Sequence, residues 1–299
     1  MSGDPEDDLA LVSARFSALW AVLAPEGEAR PLMIDRVRDA LDRGRSRLAP
    51  DAPDLIANSF CVDETVYASD RTLVLKLRHR DLGTPHALKT LPPARRDDVV
   101  LRQWLLHEAR LAGTLVHPNI IPLRATLRLA DGRPALLSDW MPATLSQRLA
   151  ARPLALSEIV AIMKALLSAL GYLHAQGIVH GDISPANLFF ADDDCRSPKL
   201  GDFGLALARG ERLEDLHMAR GAHPEFAAPE QRAGARPDAS SDLYSCGRIL
   251  ETLVARCDAE KDEKSALSAL ASRLTQAEPA NRPHDAIEAA ALLDEARRP

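Results

Sequence analysis

Lysine is scarce in this 299-residue chain: only six of its 37 basic residues are lysine, and the rest are arginine. A lysine at a defined place therefore carries more information here than in an ordinary sequence, and Lys89 is one of the six. There is no long basic run, and the formal net charge is −6, so no nucleic-acid partner and no membrane-surface role are expected. The four cysteines (Cys61, Cys195, Cys246, Cys257) are scattered without metal-site spacing, which fits a reducing, cytoplasmic setting. The longest apolar-looking stretch, Leu9–Ala24, is interrupted by Arg15 and two serines, so no membrane span is expected. The opening Met1–Asp8 is acidic, whereas a signal peptide starts basic. From Gly204 to Glu230 there is no Ser, Thr or Tyr, which excludes a hydroxyl-phosphorylation switch within that stretch.

With 46% hydrophobic residues, the chain is long enough to bury a core in one large domain or two lobes. Leu9, Val12, Phe16, Leu19, Trp20 and Leu23 recur at helical spacing, and a second helix opens at Pro31 with Ile34, Val37 and Leu41 on one face. Residues 1–53 are thus expected to be an N-terminal helical extension whose apolar stripes pack on the parent domain or bind a protein partner. Residues 54–141 read as strands around one helix: Thr65–Tyr67, Leu73–Leu77, His86–Thr90, a helix over Asp98–Leu115, then Ile120–Leu129 and Ala135–Asp139. Residues 142–299 are mostly helical, with amphipathic runs at Leu156–Gln176 and Asp242–Cys257.

The helical half is interrupted at Ile178–Phe190, where Asp182 and Asn187 lie between two apolar runs. Pro185 and small neighbours oppose a helix there, so a loop between short buried strands is expected. From one tight loop the carboxylate could take a proton from a hydroxyl and the carboxamide could ligate a hard cation. Asp202-Phe203-Gly204 follows after a further short run, and here the chain resembles the protein-kinase-like family, its bacterial Ser/Thr kinases included. The resemblance implies an α+β, bilobal kinase-like fold with a five-stranded N-lobe and a helical C-lobe. It implies that Asp182 is the catalytic base, that Lys89 holds the nucleotide phosphates and that Glu108 is its ion-pair partner. Asn187 and Asp202 become metal ligands, and Val66, Ala87, Lys89, Asp139, Met141 and Phe189 nucleotide-binding positions. ATP and Mg²⁺ (or Mn²⁺) are the implied cofactors, and a protein substrate or regulated partner is the implied company. Ala228-Pro229-Glu230, Asp242 and Arg282 resemble the structural motifs of the family's C-lobe.

Aligned on Val66, the nucleotide-covering loop should show glycines at 59, 61 and 64, but the chain has Ser59, Cys61 and Glu64. Losing two charge-assisted bonds at roughly 1.5–3 kcal/mol each would weaken nucleotide binding about 10²–10⁴-fold. Gly181 stands where many kinases have arginine, Ser184 where they have lysine, and His223 where they have a threonine beside the base. The short interval from Asp242 to Arg282 leaves little room for the substrate-docking helix. Three readings follow: an active protein Ser/Thr kinase, a pseudokinase scaffold, and a small-molecule kinase. The last is suggested by His180-Gly181-Asp182 and opposed by Ala228-Pro229-Glu230 with Arg282.

Overall fold

The computed structural model describes residues 55–56, 59–192, 194, 196–211 and 223–296. The expected helical extension over 1–53 lies outside the described residues. The chain divides into two units, 1–61 and 62–299. In the first, the described part is a small hairpin: β1 (Leu55–Ile56) pairs antiparallel with the start of β2 (Phe60–Ala68), Ile56 opposite Phe60.

In the second unit the remainder of β2 joins β3 (Leu73–His79), β4 (Pro85–Thr90), β5 (Leu123–Arg128) and β6 (Pro134–Asp139) in the order β2-β3-β4-β6-β5. Alternation sets the faces of β4. Leu88 and Thr90 are fully buried, while Ala87 and Lys89, on the opposite face, are half-buried. Helix α1 (Val99–Ala112) is started by Asp98, whose carboxylate accepts the Leu101 N–H at 3.0 Å. It buries Leu101, Trp104, Leu105 and Ala109 with Leu91 and Leu136 of the sheet. The five strands and one helix expected of the smaller lobe are present, and β1 adds a sixth short strand.

The chain leaves this sheet at Asp139 and next pairs at β7 (Ala143–Thr144) with β9 (Leu188–Phe190), which also carries β10 (Lys199–Leu200). Around that small sheet the helices α2 (Leu145–Ala151), α3 (Leu156–Ala175), α4 (Pro229–Ala233), α5 (Ala239–Ala255), α6 (Lys261–Leu274) and α7 (Ala286–Glu295) build the larger lobe. Helix α3 is long and apolar enough to cross a bilayer. Here it is the centre of the lobe, with Ile162, Met163, Leu166, Leu170 and Leu173 at 1% exposure or less. Only residues 256–260 separate α5 from α6, so the short interval before Arg282 contains no additional helix between them.

Candidate active site

Between β8 (Ile178–Val179) and β9 the chain forms the loop anticipated from sequence, and β8 is tied to β11 (Leu207–Ala208). The loop is anchored from below by Asp242 in the first turn of α5. Its Oδ2 accepts the His180 N–H and its Oδ1 the Gly181 N–H, both at 2.9 Å, and His174 Nε2 lies 2.9 Å from Oδ2. Asp242 is almost wholly buried, so these donors stand in for water around its charge. Gly181 has φ +74, and a Cβ there would come within 3.0 Å of the Leu205 carbonyl oxygen. Glycine adopts this conformation without the strain that a side chain would add.

His180 points upward. Its Nδ1 accepts the Asp182 N–H at 3.3 Å, so its Nε2–H donates to the Gly201 carbonyl at 3.2 Å, and its ring meets Phe203 edge-on at 5.0 Å. This fixes the loop against the Asp202–Gly204 segment. Asn187 Nδ2 donates to Asp182 twice, to the backbone oxygen at 2.8 Å and to Oδ2 at 2.9 Å. The other oxygen of Asp182 accepts the His223 N–H and ring Nδ1, each at 3.0 Å.

Across the cleft, Lys89 Nζ lies 2.9 Å from Glu108 Oε1 and 2.7 Å from Asp202 Oδ1. Burial alone would lower the lysine pKa, but the two carboxylates hold it well above its ordinary value. Burial raises Glu108. Asp202 is drawn below the usual carboxylate range because Lys89 outweighs the cost of its partial desolvation. Asp202 is also the one non-glycine residue with positive φ (61°) among those described, a conformation that Asp tolerates better than most. That turn aims its carboxylate at Lys89.

Several expected nucleotide positions share this region. Ala87 and Lys89 stand in register with Ser138 and Leu136 of β6, and Phe189 lies on β9 opposite Lys199. Met141 is buried. The Asp139 carboxylate is taken by a bidentate pair with Arg124 at 2.7 and 2.8 Å, so any contact it makes with a nucleotide falls to its backbone.

Val66 does not belong with them. It is 47% exposed on β2, two strands from Lys89, whereas the strand next to Lys89 is β3, with Val74 opposite Lys89. The turn leading into that strand is 69–72, so Ser59, Cys61 and Glu64 do not occupy the covering turn. Glu64 instead pairs with Lys76 of β3 at 3.1 Å. Alignment on Val66 misplaced the motif because two strands each carry a valine ahead of the lysine strand, and only strand pairing distinguishes them. Glycine is absent from the true turn as well. Ser69 N donates to the Thr72 oxygen at 2.9 Å, and Ser69 Oγ accepts the Arg71 and Thr72 N–H groups at 3.2 and 3.0 Å. Three of the four backbone donors are thus satisfied inside the turn.

Two further residues went unread in the sequence. Trp104 of α1 donates its indole N–H to the Gly204 carbonyl, and His107 Nε2 meets the Ala206 carbonyl at 3.1 Å. A Cβ on Gly204 would come within 2.6 Å of the Trp104 ring, so this glycine is needed for the helix to sit against the metal-loop segment. The partners are about a hundred residues apart, and no local pattern announces them.

A divalent cation fits the donors present. The Asp202 carboxylate and the Asn187 carboxamide are hard oxygen ligands, and the two carboxylates around Lys89 leave one negative charge in excess. Among the described residues no cluster of three or more His, Cys, Asp or Glu could hold a metal ion by itself.

A bilobal fold with a lysine–glutamate pair facing an Asp-Phe-Gly turn and an Asp/Asn loop defines the kinase class, and the comparisons with known proteins agree. The sequence profile of the protein kinase domain matches residues 70–291, and the chain belongs to that family. It is 30% identical over 221 residues to the serine/threonine-protein kinase Pkn1 of Myxococcus xanthus, covering 71% of this chain and 31% of that protein. To the dual specificity testis-specific protein kinase 1 of Rattus norvegicus it is 31% identical, over 69% of this chain and 33% of the relative. The chain thus spans about a third of the length of these curated relatives. Among solved structures, a double mutant of the Mycobacterium tuberculosis PknI kinase domain superposes with a TM-score of 0.63 at 25% identity, covering 84% of this chain and all of that one.

Proposed function

We propose that this chain transfers the γ-phosphoryl group of ATP to a Ser or Thr hydroxyl of a protein, with Mg²⁺ or Mn²⁺ required. The observation that carries this reading is the assembled Lys89–Glu108–Asp202 triad facing Asp182 and Asn187. The serine/threonine specificity in the names of several relatives supports the choice of acceptor. In this reading Lys89 holds phosphate oxygens, with Glu108 keeping its ammonium in place. Asp202 and Asn187 would hold the metal, which when bound neutralises phosphate charge. Asp182 orients the acceptor hydroxyl and takes its proton. The segment over residues 1–53 is proposed as a route to a protein partner, and a cytoplasmic location is part of the same proposal.

Replacing Asp182 by Asn removes the proton acceptor while preserving shape. Radiolabelled phosphate transfer should then fall by at least about 10²-fold, with nucleotide affinity nearly unchanged. Equal activity in mutant and wild type would end the assignment of Asp182 as base. One observation favours a second reading, a pseudokinase scaffold: the Ser69–Thr72 turn spends its N–H groups on itself and offers little to a phosphate.

A further inference from the structure

The acceptor end of the site contains an imidazole with no counterpart in the expected motif. Asp182 as a carboxylate only accepts, so His223 Nδ1 carries the proton of their 3.0 Å contact and Nε2 is directed away from the carboxylate. The His223 side chain is 45% exposed and that of Asp182 only 12%, so an incoming group meets the ring first. Among the described residues, the charged groups acting on the ring are Asp182 from the catalytic loop, Asp202 from the metal-loop segment and Glu225 on its own segment, all acidic. The hydrogen bond to Asp182 is the chief cause holding the ring above its ordinary pKa, against the effect of burial. Among the described residues, no lysine or arginine pairs with Asp182 or His223. Lys89 is committed to Glu108 and Asp202, and position 184 holds a serine whose hydroxyl is buried without a partner. On its acceptor side, a terminal phosphate brought to Asp182 would meet that carboxylate with no lysine beside it, while Lys89 and a metal at Asp202 and Asn187 would serve its other side.

We infer that His223, as an imidazolium bound to Asp182, is the phosphate-contacting cation of the acceptor end, with its Nε2–H donating to an oxygen of the transferring group. This rests on the kinase reading above. In the transfer, the acceptor oxygen bonds to the terminal phosphorus, and the bond to the bridging oxygen breaks with its electron pair leaving on the nucleoside diphosphate. The hydroxyl proton passes to Asp182, and His223 keeps its own proton throughout.

The test uses the full chain. Imidazole ¹H–¹⁵N spectra without nucleotide or metal should show His223 titrating above its ordinary value of about 6.5, and Asp182→Asn should return it toward that value. Adding a non-hydrolysable ATP analogue in the presence of Mg²⁺ should raise it above the value with Mg²⁺ alone, because a phosphate on Nε2–H favours the charged form. The wild-type transfer rate should fall as pH rises through the His223 pKa. His223→Lys should flatten that profile, and His223→Gln should lose roughly tenfold below it at unchanged melting temperature. A His223 pKa unmoved by bound analogue, or a Gln variant with the wild-type rate and profile, overturns the inference. Absence of any nucleotide-induced thermal shift removes the kinase reading and this inference together, whereas binding that leaves His223 unmoved removes only the inference.

Discussion

At the scale of single residues, the strongest structural commitment lies outside the reacting groups. The Arg282 side chain is fully buried. It forms a two-pronged pair with Glu230 at 2.7 and 2.8 Å, donates to the Gln276, Ala277 and Ser240 carbonyls, and lies over the Tyr244 ring at 4.9 Å. Removing one partner of such a pair leaves an unpaired charge in a dry place, which costs about 3–5 kcal/mol. Urea unfolding of Arg282→Met should show a loss of that size, and a change under 1 kcal/mol would mean that water reaches Glu230 freely. The pH dependence has a definite sign. Burial alone would raise the Glu230 carboxyl, but Arg282 outweighs it and holds it below its ordinary 4.5. Its contribution is therefore present above that pH and is lost as the pH falls through the lowered folded value. In Arg282→Met that acid-side loss should shrink.

At the scale of elements, the proposed function gives the turn at 69–72 the task of covering a nucleotide. Ser69 closes the turn by taking two backbone N–H groups onto its own hydroxyl. Ser69→Gly combined with Thr72→Gly would free those donors and relax the backbone enough for a close approach to phosphate. We expect nucleotide affinity in the presence of Mg²⁺ to rise about tenfold, the effect of one recovered hydrogen bond to a charged group. Thermal shift at millimolar ATP would read the change, and chelation of the metal should diminish it. Unchanged binding in the double variant would show that the turn takes no part in holding phosphate.

At the scale of the whole molecule, the question is what keeps the two halves of the site assembled. Helix α1 reaches the metal-loop segment through Lys89–Glu108, the Trp104 indole and His107. The segment from Gly204 to Glu230 carries no hydroxyl to phosphorylate. Assembly by side-chain contacts within the chain is thus independent of phosphate at this segment. Exhaustive phosphatase treatment should leave phosphate transfer unchanged within twofold, a margin of about 0.4 kcal/mol. A large loss would place the controlling phosphate elsewhere in the chain.

The sequence by itself determined the fold class, the five strands and the C-lobe helices, because period-two and period-3.6 apolar patterns record which face each element buries. It also marked Asp182 and Asn187 by residue type and spacing, and Lys89, Glu108 and Asp202 through the resemblance to the kinase family. Which strand lies beside Lys89 was decided only by the tertiary structure. Val66 and Val74 sit in equally convincing local patterns, and pairing is a long-range event that neither pattern contains. The same is true of Trp104 on Gly204 and His107 on Ala206. Hydrogen bonds between residues far apart in the chain leave no periodic trace, and they exist only once the packed elements bring donor and acceptor within about 3 Å.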